Sequence, residues 1–401
     1  MRFFSLSLSS LTLALVALVA TPPTMAEARS FSQCVASKWP AAQRIGVTRA
    51  NFERATQGLQ PDTKTTRLVN KQAEFVKPIW EYLDSAVSAT RVKNGRAMLR
   101  KYSNVLDEIE RRFEVDREAV IAIWGMETSY GSFMGDHNAV QAAATLACKS
   151  NRRNKFWSDQ FVAAIKIAQD GHVPLSAMRS SWGAAMGHTQ FIPTSWQAYA
   201  ADYDGDGKRD IWRSIPDALA STANYLKKHG WRYQQTWGYE VSLPRNFNHK
   251  LADDKTRSLS EWSRLGVKRT NGKPWPRPSD QAYLKYMAGA TGPAFLMLPN
   301  FKVIKRYNNA DAYALAVGHL ADRIIGGGGF AKAWPRDQRP LRRAEVREMQ
   351  SLLTRRGFST GGVDGKVGPN TRRAIRQFQS SRGLVADGFP STKVLSELKR
   401  L

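Results

Sequence analysis

The sequence has few cysteines and histidines for its length. Its 401 residues include only two cysteines, Cys34 and Cys148, which lie far apart and show no CxxC spacing. The six histidines form neither an HExxH motif nor any other paired spacing. Redox and zinc sites use closely spaced cysteine and histidine ligands. The sequence therefore argues against a thiol redox protein and against a zinc enzyme.

Acidic residues are also scarce relative to basic ones. The chain has 60 Lys and Arg against 34 Asp and Glu, which gives a formal net charge of +26 at pH 7. A charge of this size favours an anionic partner. Nucleic acid fits that description, and so do the acidic polymers and phospholipid head groups of a cell envelope.

Long apolar runs are missing except at the N-terminus. Residues 3–20 follow Met1-Arg2 and are interrupted only by Ser and Thr, and small residues lead to Ala26. This pattern predicts that residues 1–26 are a signal peptide that exports the protein to the periplasm. An uncleaved membrane anchor is the alternative, because about eighteen apolar residues nearly span a bilayer. Export favours an anionic envelope surface as partner and argues against nucleic acid.

Export also bears on the two cysteines. In an oxidising compartment a Cys34–Cys148 disulfide is plausible. Two buried free thiols are the alternative, and the sequence does not separate the two.

Repeats and low-complexity segments are absent apart from the glycine run 326–329. Helical periodicity dominates up to about residue 325. The predicted helices there cover residues 75–87, 95–113, 116–126, 159–167 and 215–228. The density of Gly and Pro predicts a linker over 326–340. Residues 341–401 form a second unit with helical patterns at 344–356, 370–382 and 391–400.

Glu127 is the residue that most suggests chemistry. A helical period places it on one stripe with three apolar residues, Val120, Ile123 and Trp124. Asp116 is expected to cap this helix and Gly131 to follow its end. Burial disfavours the charged form of a carboxyl and raises its pKa towards that of a general acid at neutral pH. The alternative is a buried Glu that pairs with an Arg or Lys.

Residues 124–131, which include Glu127, form a first motif. A second motif spans residues 180–193 and is rich in small residues. Such residues let the backbone approach another backbone or a ligand closely. Ser181 and Gln190 supply neutral hydrogen-bonding groups that suit the amide and hydroxyl substituents of a sugar. The alternative is an ordinary loop with a buried Gln.

With these two motifs, residues 31–325 resemble the lytic murein transglycosylases of the B type, relatives of goose-type lysozyme in fold. The resemblance extends through Gly230-Trp231 and through residues 237–241, 292–301 and 306–316 in the same order. It implies a mainly α, lysozyme-like catalytic domain with Glu127 as the catalytic acid/base and no required cofactor. The residues that it places around the sugar subsites are Ser181, Gln190, Tyr225, Tyr307, Asn308 and Tyr313.

The reaction implied by the resemblance needs one carboxyl group. Glycosidases that hydrolyse their substrate use two, and the only other candidate near Glu127 in sequence is Asp136, which matches no known role. The family cleaves the bond between N-acetylmuramic acid and N-acetylglucosamine and closes a 1,6-anhydro ring on the muramic acid. A hydrolytic muramidase and a non-catalytic wall-binding protein are the alternative functions.

An EF-hand-like loop follows the second motif. Asp202, Asp204, Asp206 and Asp210 occupy positions 1, 3, 5 and 9, Lys208 offers its carbonyl at position 7, and Gly207 stands at position 6. Position 12 is Arg213 instead of the usual Glu. Asp217 is the nearest closing carboxylate, although it also fits the third helical position of a capping box begun by Ser214. We expect a structural Ca²⁺ here.

The C-terminal unit, residues 341–401, resembles a peptidoglycan-binding domain of the three-helix type. The matching positions run from 346–353 through 363–368 to 387–388, and most are apolar residues at helical spacing. The expected partners are therefore peptidoglycan glycan strands, with other cell-wall enzymes as further candidates. A tethered module of this kind raises the local concentration of glycan near the catalytic domain.

Overall fold

The helix that carries Glu127 lies at the centre of the fold. The structure, a computed structural model, describes residues 25–70, 77–150 and 153–400. The predicted signal peptide lies outside the described residues except for Met25 and Ala26, which begin the first helix. Within the described ranges, no helix has both the length and the apolar character needed to cross a bilayer.

Helices build most of the larger unit, so the mainly α prediction is confirmed. They are α1 Met25–Ala36, α2 Trp39–Arg44, α3 Arg49–Thr56, α4 Thr63–Asn70, α5 Ile79–Ala86, α6 Ala89–Lys101, α7 Ser103–Phe113, α8 Arg117–Thr128, α9 Ala139–Lys149, α10 Asn154–Gln169, α11 Pro193–Tyr199, α12 Ile215–Lys228, α13 Leu259–Arg264, α14 Pro299–Tyr307 and α15 Asp311–Ile324.

Two predicted helices differ from the observed ones. The single helix expected over 95–113 is wrong, because the chain leaves helical geometry at Tyr102 (φ −108°, ψ 23°) between α6 and α7. The Tyr102 ring packs edge-on against Trp124 of α8 at 5.8 Å. The helix expected over 75–87 begins at Ile79, since Pro78 in extended geometry precedes it. Residues 75 and 76 lie outside the described ranges.

A five-stranded antiparallel sheet, in the order β4-β6-β7-β3-β5, was not predicted from the sequence. It has its own apolar core, which includes Trp262, Leu284 and Leu296. A separate two-stranded pair, β1-β2, joins the segment that follows the first motif to the start of the second motif. The strands are β1 His137–Asn138, β2 Arg179–Ser180, β3 Gly238–Ser242, β4 Arg257–Ser258, β5 Lys268–Arg269, β6 Gln281–Tyr286 and β7 Ala294–Met297.

Helix α8 is enclosed by α6, α7, α12 and α15. Every residue from 119 to 125 is buried, as expected of a helix that is apolar on all sides. A helix held in this way cannot shift without disturbing the core, so the position of Glu127 near its end is fixed.

Cys34 of α1 and Cys148 of α9 form a disulfide. The bond joins residues separated by 114 positions in the sequence. The disulfide is therefore the correct alternative of the two that the sequence left open, and the described residues contain no free cysteine.

The C-terminal unit consists of α16 Arg343–Arg355, α17 Pro369–Ser381 and α18 Thr392–Lys399. These helices bury their own core, which includes Met349, Leu353, Ile375, Phe378 and Leu398. A hydrogen bond joins this unit to the connection between β6 and β7. The Ala290 N–H donates to the Asp387 carboxylate at 2.9 Å.

The connecting segment, residues 326–340, packs along the larger unit. Phe330 stacks on His319 with ring centres 4.0 Å apart. The Glu240 carboxylate accepts the N–H groups of Ala331 and Lys332 at 2.7 and 2.8 Å. Arg336 forms two hydrogen bonds with Asp84 at 2.8 and 2.9 Å. These contacts hold the segment in one path after its glycine run.

Candidate active site

The C-terminal end of α8 turns sharply just after Glu127. Ser129, Tyr130 and Gly131 all adopt left-handed backbone geometry, with φ of 49°, 61° and 82°. Such geometry is costly for residues other than glycine and often accompanies functional sites. At Gly131 a side chain is excluded, since a Cβ there would lie 2.3 Å from the His188 ring.

Gly125 has a similar packing role one turn earlier. A Cβ on Gly125 would lie 2.5 Å from the Tyr130 ring. The Tyr130 hydroxyl donates to the Arg91 carbonyl at 2.8 Å and so joins the turn to α6. The glycines of the first motif therefore let the turn fold back onto its own helix.

His188 joins the second motif to the first. The Trp124 indole N–H donates to His188 Nδ1 at 3.1 Å, and the Thr128 hydroxyl donates to the His188 carbonyl at 3.3 Å. Burial lowers the pKa of His188, so the neutral ring that accepts from the indole is favoured. Sequence reasoning assigned no role to His188, because nothing in its sequence neighbourhood indicates this contact.

Gln190 and Ser181 hold the loop of the second motif. Gln190 has a left-handed backbone (φ 52°), and its side-chain amide donates to the carbonyls of Gly187 and Met134 at 3.0 and 3.3 Å. The Ser181 hydroxyl accepts the Ala185 N–H at 3.3 Å. Both side chains are partly exposed, so each combines a loop contact with access to solvent.

Glu127 lies among tyrosines. The buried Tyr313, in the first turn of α15, donates its hydroxyl to Glu127 Oε1 at 2.5 Å. Burial and, second, the charge of Glu127 raise the pKa values of Tyr82 and Tyr307. Both hydroxyls therefore lie within electrostatic range of the carboxyl. Tyr82 was not among the residues expected from the sequence.

The surroundings of Glu127 favour its protonated form. Burial raises its pKa to about 7, and the Tyr313 hydrogen bond opposes this only in part. Among the described residues, no Lys or Arg forms an ion pair with it. The alternative in which Glu127 is a salt-bridge partner is therefore wrong. A carboxyl with this pKa can both donate and accept a proton near neutral pH.

Tyr307 and Tyr225 form a layer beside this site. The Tyr307 hydroxyl donates to the Thr189 carbonyl at 2.6 Å, which joins α14 to the second motif. Tyr225 is buried, packs on Tyr307 with ring centres 4.9 Å apart, and donates to the Arg306 carbonyl at 2.6 Å. The charge of Glu127 helps to raise the pKa of Tyr307 but is not among the causes that raise the pKa of Tyr225, so Tyr307 is the nearer of the two to Glu127.

Asn308 follows α14 directly and is exposed. Its side-chain oxygen accepts the Ala310 N–H at 3.1 Å. This bond shapes the short connection that places Tyr313 at the start of α15, and the Asn308 amide group faces solvent beside it.

Asp136 has different surroundings from Glu127. It is exposed, and a hydrogen bond from Lys64 at 3.0 Å lowers its pKa. His137 also lies within ion-pair distance, at 3.3 Å. A carboxylate with a lowered pKa is poorly suited to donate a proton at neutral pH.

The EF-hand-like loop brings three of its expected ligands together. Carboxylate oxygens of Asp202, Asp204 and Asp217 lie within 4.8 Å of one another. Asp210 instead accepts from the Arg213 guanidinium at 2.7 Å, and Asp206 accepts the Lys208 N–H at 2.8 Å. The cluster thus contains only part of the predicted set.

Asp217 combines features of its two expected roles, a capping residue of α12 and a carboxylate ligand of the loop. Its N–H donates to the Ser214 hydroxyl at 3.2 Å, as in a capping box. Its carboxylate, however, accepts the N–H groups of Tyr203 and Asp210, both at 2.8 Å. Burial, the largest cause, and the charges of Asp204 and Asp202 raise the pKa of Asp217. A cation would relieve this repulsion, and oxygen ligands of this kind suit Ca²⁺.

The sequence and the fold both match known proteins. The family described as "Transglycosylase SLT domain" matches residues 30–322, and a peptidoglycan binding domain family matches residues 342–398. The membrane-bound lytic murein transglycosylase B of Escherichia coli is 30% identical over 272 residues, which are 64% of this chain and 73% of that protein.

Two solved structures are also similar. SltB3 from Pseudomonas aeruginosa, in complex with NAG-anhNAM-pentapeptide, is 48% identical with a TM-score of 0.89, over 92% of this chain and 100% of that one. The lytic transglycosylase Slt35 of Escherichia coli, in complex with calcium, is 26% identical with a TM-score of 0.61, over 75% of this chain and 94% of that one. This chain belongs to the transglycosylase SLT-domain family.

Proposed function

We propose that this chain is a lytic transglycosylase. It cleaves the β-1,4 bond between N-acetylmuramic acid and N-acetylglucosamine in peptidoglycan and leaves 1,6-anhydromuramic acid ends. The carrying observation is the Glu127 carboxyl, which accepts the Tyr313 hydroxyl, has no cation partner among the described residues and has a pKa raised to about 7 by burial. The family match and the SltB3 complex support the same conclusion.

Glu127 acts twice in the proposed reaction. Its protonated carboxyl first donates a proton to the glycosidic oxygen as the bond to the muramic acid C1 breaks. The resulting carboxylate then takes the proton of the C6 hydroxyl, whose oxygen bonds to C1 and closes the anhydro ring. Glu127 is protonated again at the end, and no water is consumed. An intramolecular attack of this kind benefits from the high effective concentration of the C6 oxygen.

Tyr313 stabilises the charged stage of this cycle. Its hydroxyl already donates to Glu127 Oε1, and a donor that is in place before the charge develops needs no reorganisation. We propose that Tyr313 orients Glu127, and that Ser181, Gln190, Tyr307 and Asn308 contact the sugars. Tyr225, which is buried and packs on Tyr307, acts by positioning it.

The domain organisation proposed for this function follows the family matches. Residues 31–325 carry the catalysis, 326–340 connect, and 341–401 bind peptidoglycan. We further propose that residues 1–26 direct export to the periplasm. There the net charge of +26 favours contact with the anionic envelope.

The products of digested sacculi test the proposed reaction. We expect mass spectrometry to find muropeptides lighter by one water than hydrolysis products, because the anhydro ring replaces the reducing end. A muramidase that hydrolyses the same bond is the control digest. Products with only reducing ends would contradict the transglycosylase and favour the muramidase, and no products at all would favour a wall-binding protein.

We also propose that Asp202, Asp204 and Asp217 hold a structural Ca²⁺, as supported by the calcium complex of Slt35. The ion would screen the repulsion among the three carboxylates, and the reaction does not pass through it. We expect Ca²⁺ at about a hundred times its Kd to stabilise the fold by about 2.7 kcal/mol. Differential scanning calorimetry with Ca²⁺ and with chelator measures this.

The matched controls separate this site from general charge screening. Asp204→Asn should lose the stabilisation by Ca²⁺, whereas Asp159→Asn should keep it, because Asp159 lies on α10 in an exposed pair with Lys155. An equal effect of Ca²⁺ on both variants, or no effect on the wild type, would rule the site out.

A further inference from the structure

A cavity lies at the opposite end of α8 from Glu127. Glu127 meets Tyr313 where α8 ends and α15 begins. The cavity, of about 290 Å³, lies where α8 begins and α15 ends. We call it the acidic cavity. Its polar and aromatic lining consists chiefly of Asp116, Glu118, Trp231, Gln235, Trp237 and Asp322.

The charge of the acidic cavity is unusual for this chain. The sequence has almost twice as many basic as acidic residues, yet three carboxylates and no Lys, Arg or His are among the described residues that line this cavity. Arg277 and Arg117 act on Asp116 and Glu118 electrostatically. Neither arginine forms an ion pair with these carboxylates, and Asp322 has no ion pair among the described residues either.

Two indoles orient two of the carboxylates. The Trp231 N–H donates to Asp116 at 2.7 Å, and the Trp237 N–H donates to Asp322 at 3.0 Å. Trp237 lies directly against α15, because a Cβ on Gly318 would be 2.5 Å from its ring. The carboxylates of Asp116 and Asp322 are therefore held in position.

Gln235, which also lines the cavity, carries a buried acceptor that no protein donor reaches. Its side chain is 5% exposed, and its Oε1 has no hydrogen-bond donor. The backbone around it is rigid, because the buried Asn300 side chain donates to the carbonyls of Arg232 and Gln235 at 2.9 and 2.5 Å. A buried acceptor without a donor is destabilising, because it has given up its hydrogen bonds to water and gained none in return. A ligand that donates a hydrogen bond would remove this cost.

Helix capping explains only part of the cluster. Asp116 and Glu118 lie at the start of α8, where negative charge is favourable. Asp322 lies in the last turn of α15, where the helix dipole disfavours a carboxylate. Its presence there calls for a positive group that is not supplied by the lining residues.

We infer that the acidic cavity binds a primary ammonium group. Such a group brings positive charge for Asp322 and its neighbours and N–H donors for Gln235 Oε1, and the faces of Trp231 and Trp237 attract cations. A metal ion fits less well, because among the described residues only the cluster around Asp202 gathers three such ligands within 4.8 Å. The exposed Gln234 and Ile325 at the rim leave the cavity open to solvent.

The ammonium group has two chemical sources, a lysine-like side chain of a peptide and a free diamine. Burial raises the pKa of Asp322 to about 7. Binding of a cation favours the ionised form, so affinity should increase as the pH rises through 7. This pH trend supplements the geometry and distinguishes Asp322 from an exposed carboxylate.

Isothermal titration calorimetry on the full chain, without glycan, tests the site. The probes are Nα-acetyl-lysine methylamide for the peptide source and 1,5-diaminopentane for the free diamine. Tetramethylammonium, which has no N–H, is the control ligand. We expect saturable binding of at least one probe, and a loss of about tenfold or more in affinity in Asp322→Asn. Asp159→Asn, an exposed carboxylate elsewhere, should bind like the wild type.

Gln235→Met serves as a second variant in case Asp322→Asn fails to fold. It removes the Oε1 acceptor at similar size, and we expect a loss of about fivefold. The probe that binds more tightly of the two identifies the source of the ammonium group, and its binding supports the site. The inference is overturned if neither probe saturates, if both folded variants bind like the wild type, or if tetramethylammonium binds equally well. Because no glycan is present, these results do not depend on the proposed reaction.

Discussion

Replacement of Glu127 by Gln is expected to lower the rate of glycan cleavage by about 10³-fold or more. General acid–base catalysis contributes about 10²–10⁴-fold for one proton transfer, and Glu127 carries both transfers of the proposed reaction. The amide keeps the size of the side chain and can still accept from the Tyr313 hydroxyl, so the packing around position 127 should stay intact. Release of soluble muropeptides from purified sacculi measures the rate.

Two further variants define what this result means. Asp136→Asn should retain most of the activity, because Asp136 is exposed and paired with Lys64. Tyr313→Phe removes the group that lowers the pKa of Glu127, so the fall in activity above about pH 7 should move to higher pH.

Binding to sacculi should persist in Glu127→Gln. Undiminished lysis by that variant would remove Glu127 from the mechanism.

The Glu127→Gln substitution should also stabilise the fold. The folded-state pKa of Glu127 is raised from 4.5 to about 7, so the folded state binds the extra proton more tightly than the unfolded state. Stability contributed by the neutral carboxyl is therefore present below about pH 4.5 and is lost as the pH rises towards 7. Gln does not ionise, so its advantage in unfolding free energy should grow across this window and show that inactivity is not misfolding.

Removal of the Cys34–Cys148 disulfide is expected to cost about 2–5 kcal/mol of unfolding free energy. The bond joins α1 to α9 across 114 positions of sequence, and a long loop restricts the unfolded chain strongly. Denaturant unfolding of the Cys34→Ser, Cys148→Ser double variant measures the loss.

Reductant provides the matched control for this prediction. The wild type should move towards the stability of the double variant when it is reduced, and the double variant should not respond. Neither α1 nor α9, which the disulfide joins, carries a residue of the site around Glu127. Muropeptide release under conditions where the variant is folded should therefore change little. A double variant as stable as the oxidised wild type would contradict the prediction.

The helix that carries Glu127 was predicted well from the sequence, because its signals are local. The span 116–126 differs from α8 by one or two residues at each end, and α12 was predicted at its full length. Asp116 does stand at the N-cap of α8. Its carboxylate nevertheless binds Trp231 and Gln234 instead of its own helix, a contact across more than a hundred residues that no local pattern indicates.

The parts that were missed depend on distant contacts. Strands β4 and β5 have two residues each, too few for an alternating pattern to be visible. Tyr82 and His188 reach the site only because α5 packs on α15 and the second motif packs on α8. The path of the connecting segment likewise depends on single contacts such as that of Phe330 with His319, whereas its composition indicates only a linker.

The close approaches at Gly125 and Gly131 change what the first motif can tell about a related protein. In a saturation mutagenesis screen, both glycines should tolerate almost no substitution. The space that a side chain would need is occupied by Tyr130 at Gly125 and by His188 at Gly131, and neither contact involves substrate. A descendant that had lost its carboxyl, and with it all lytic activity, would still be under selection to keep them. Inactive paralogues would thus retain most of the signature, and only the residue at position 127 would reveal them.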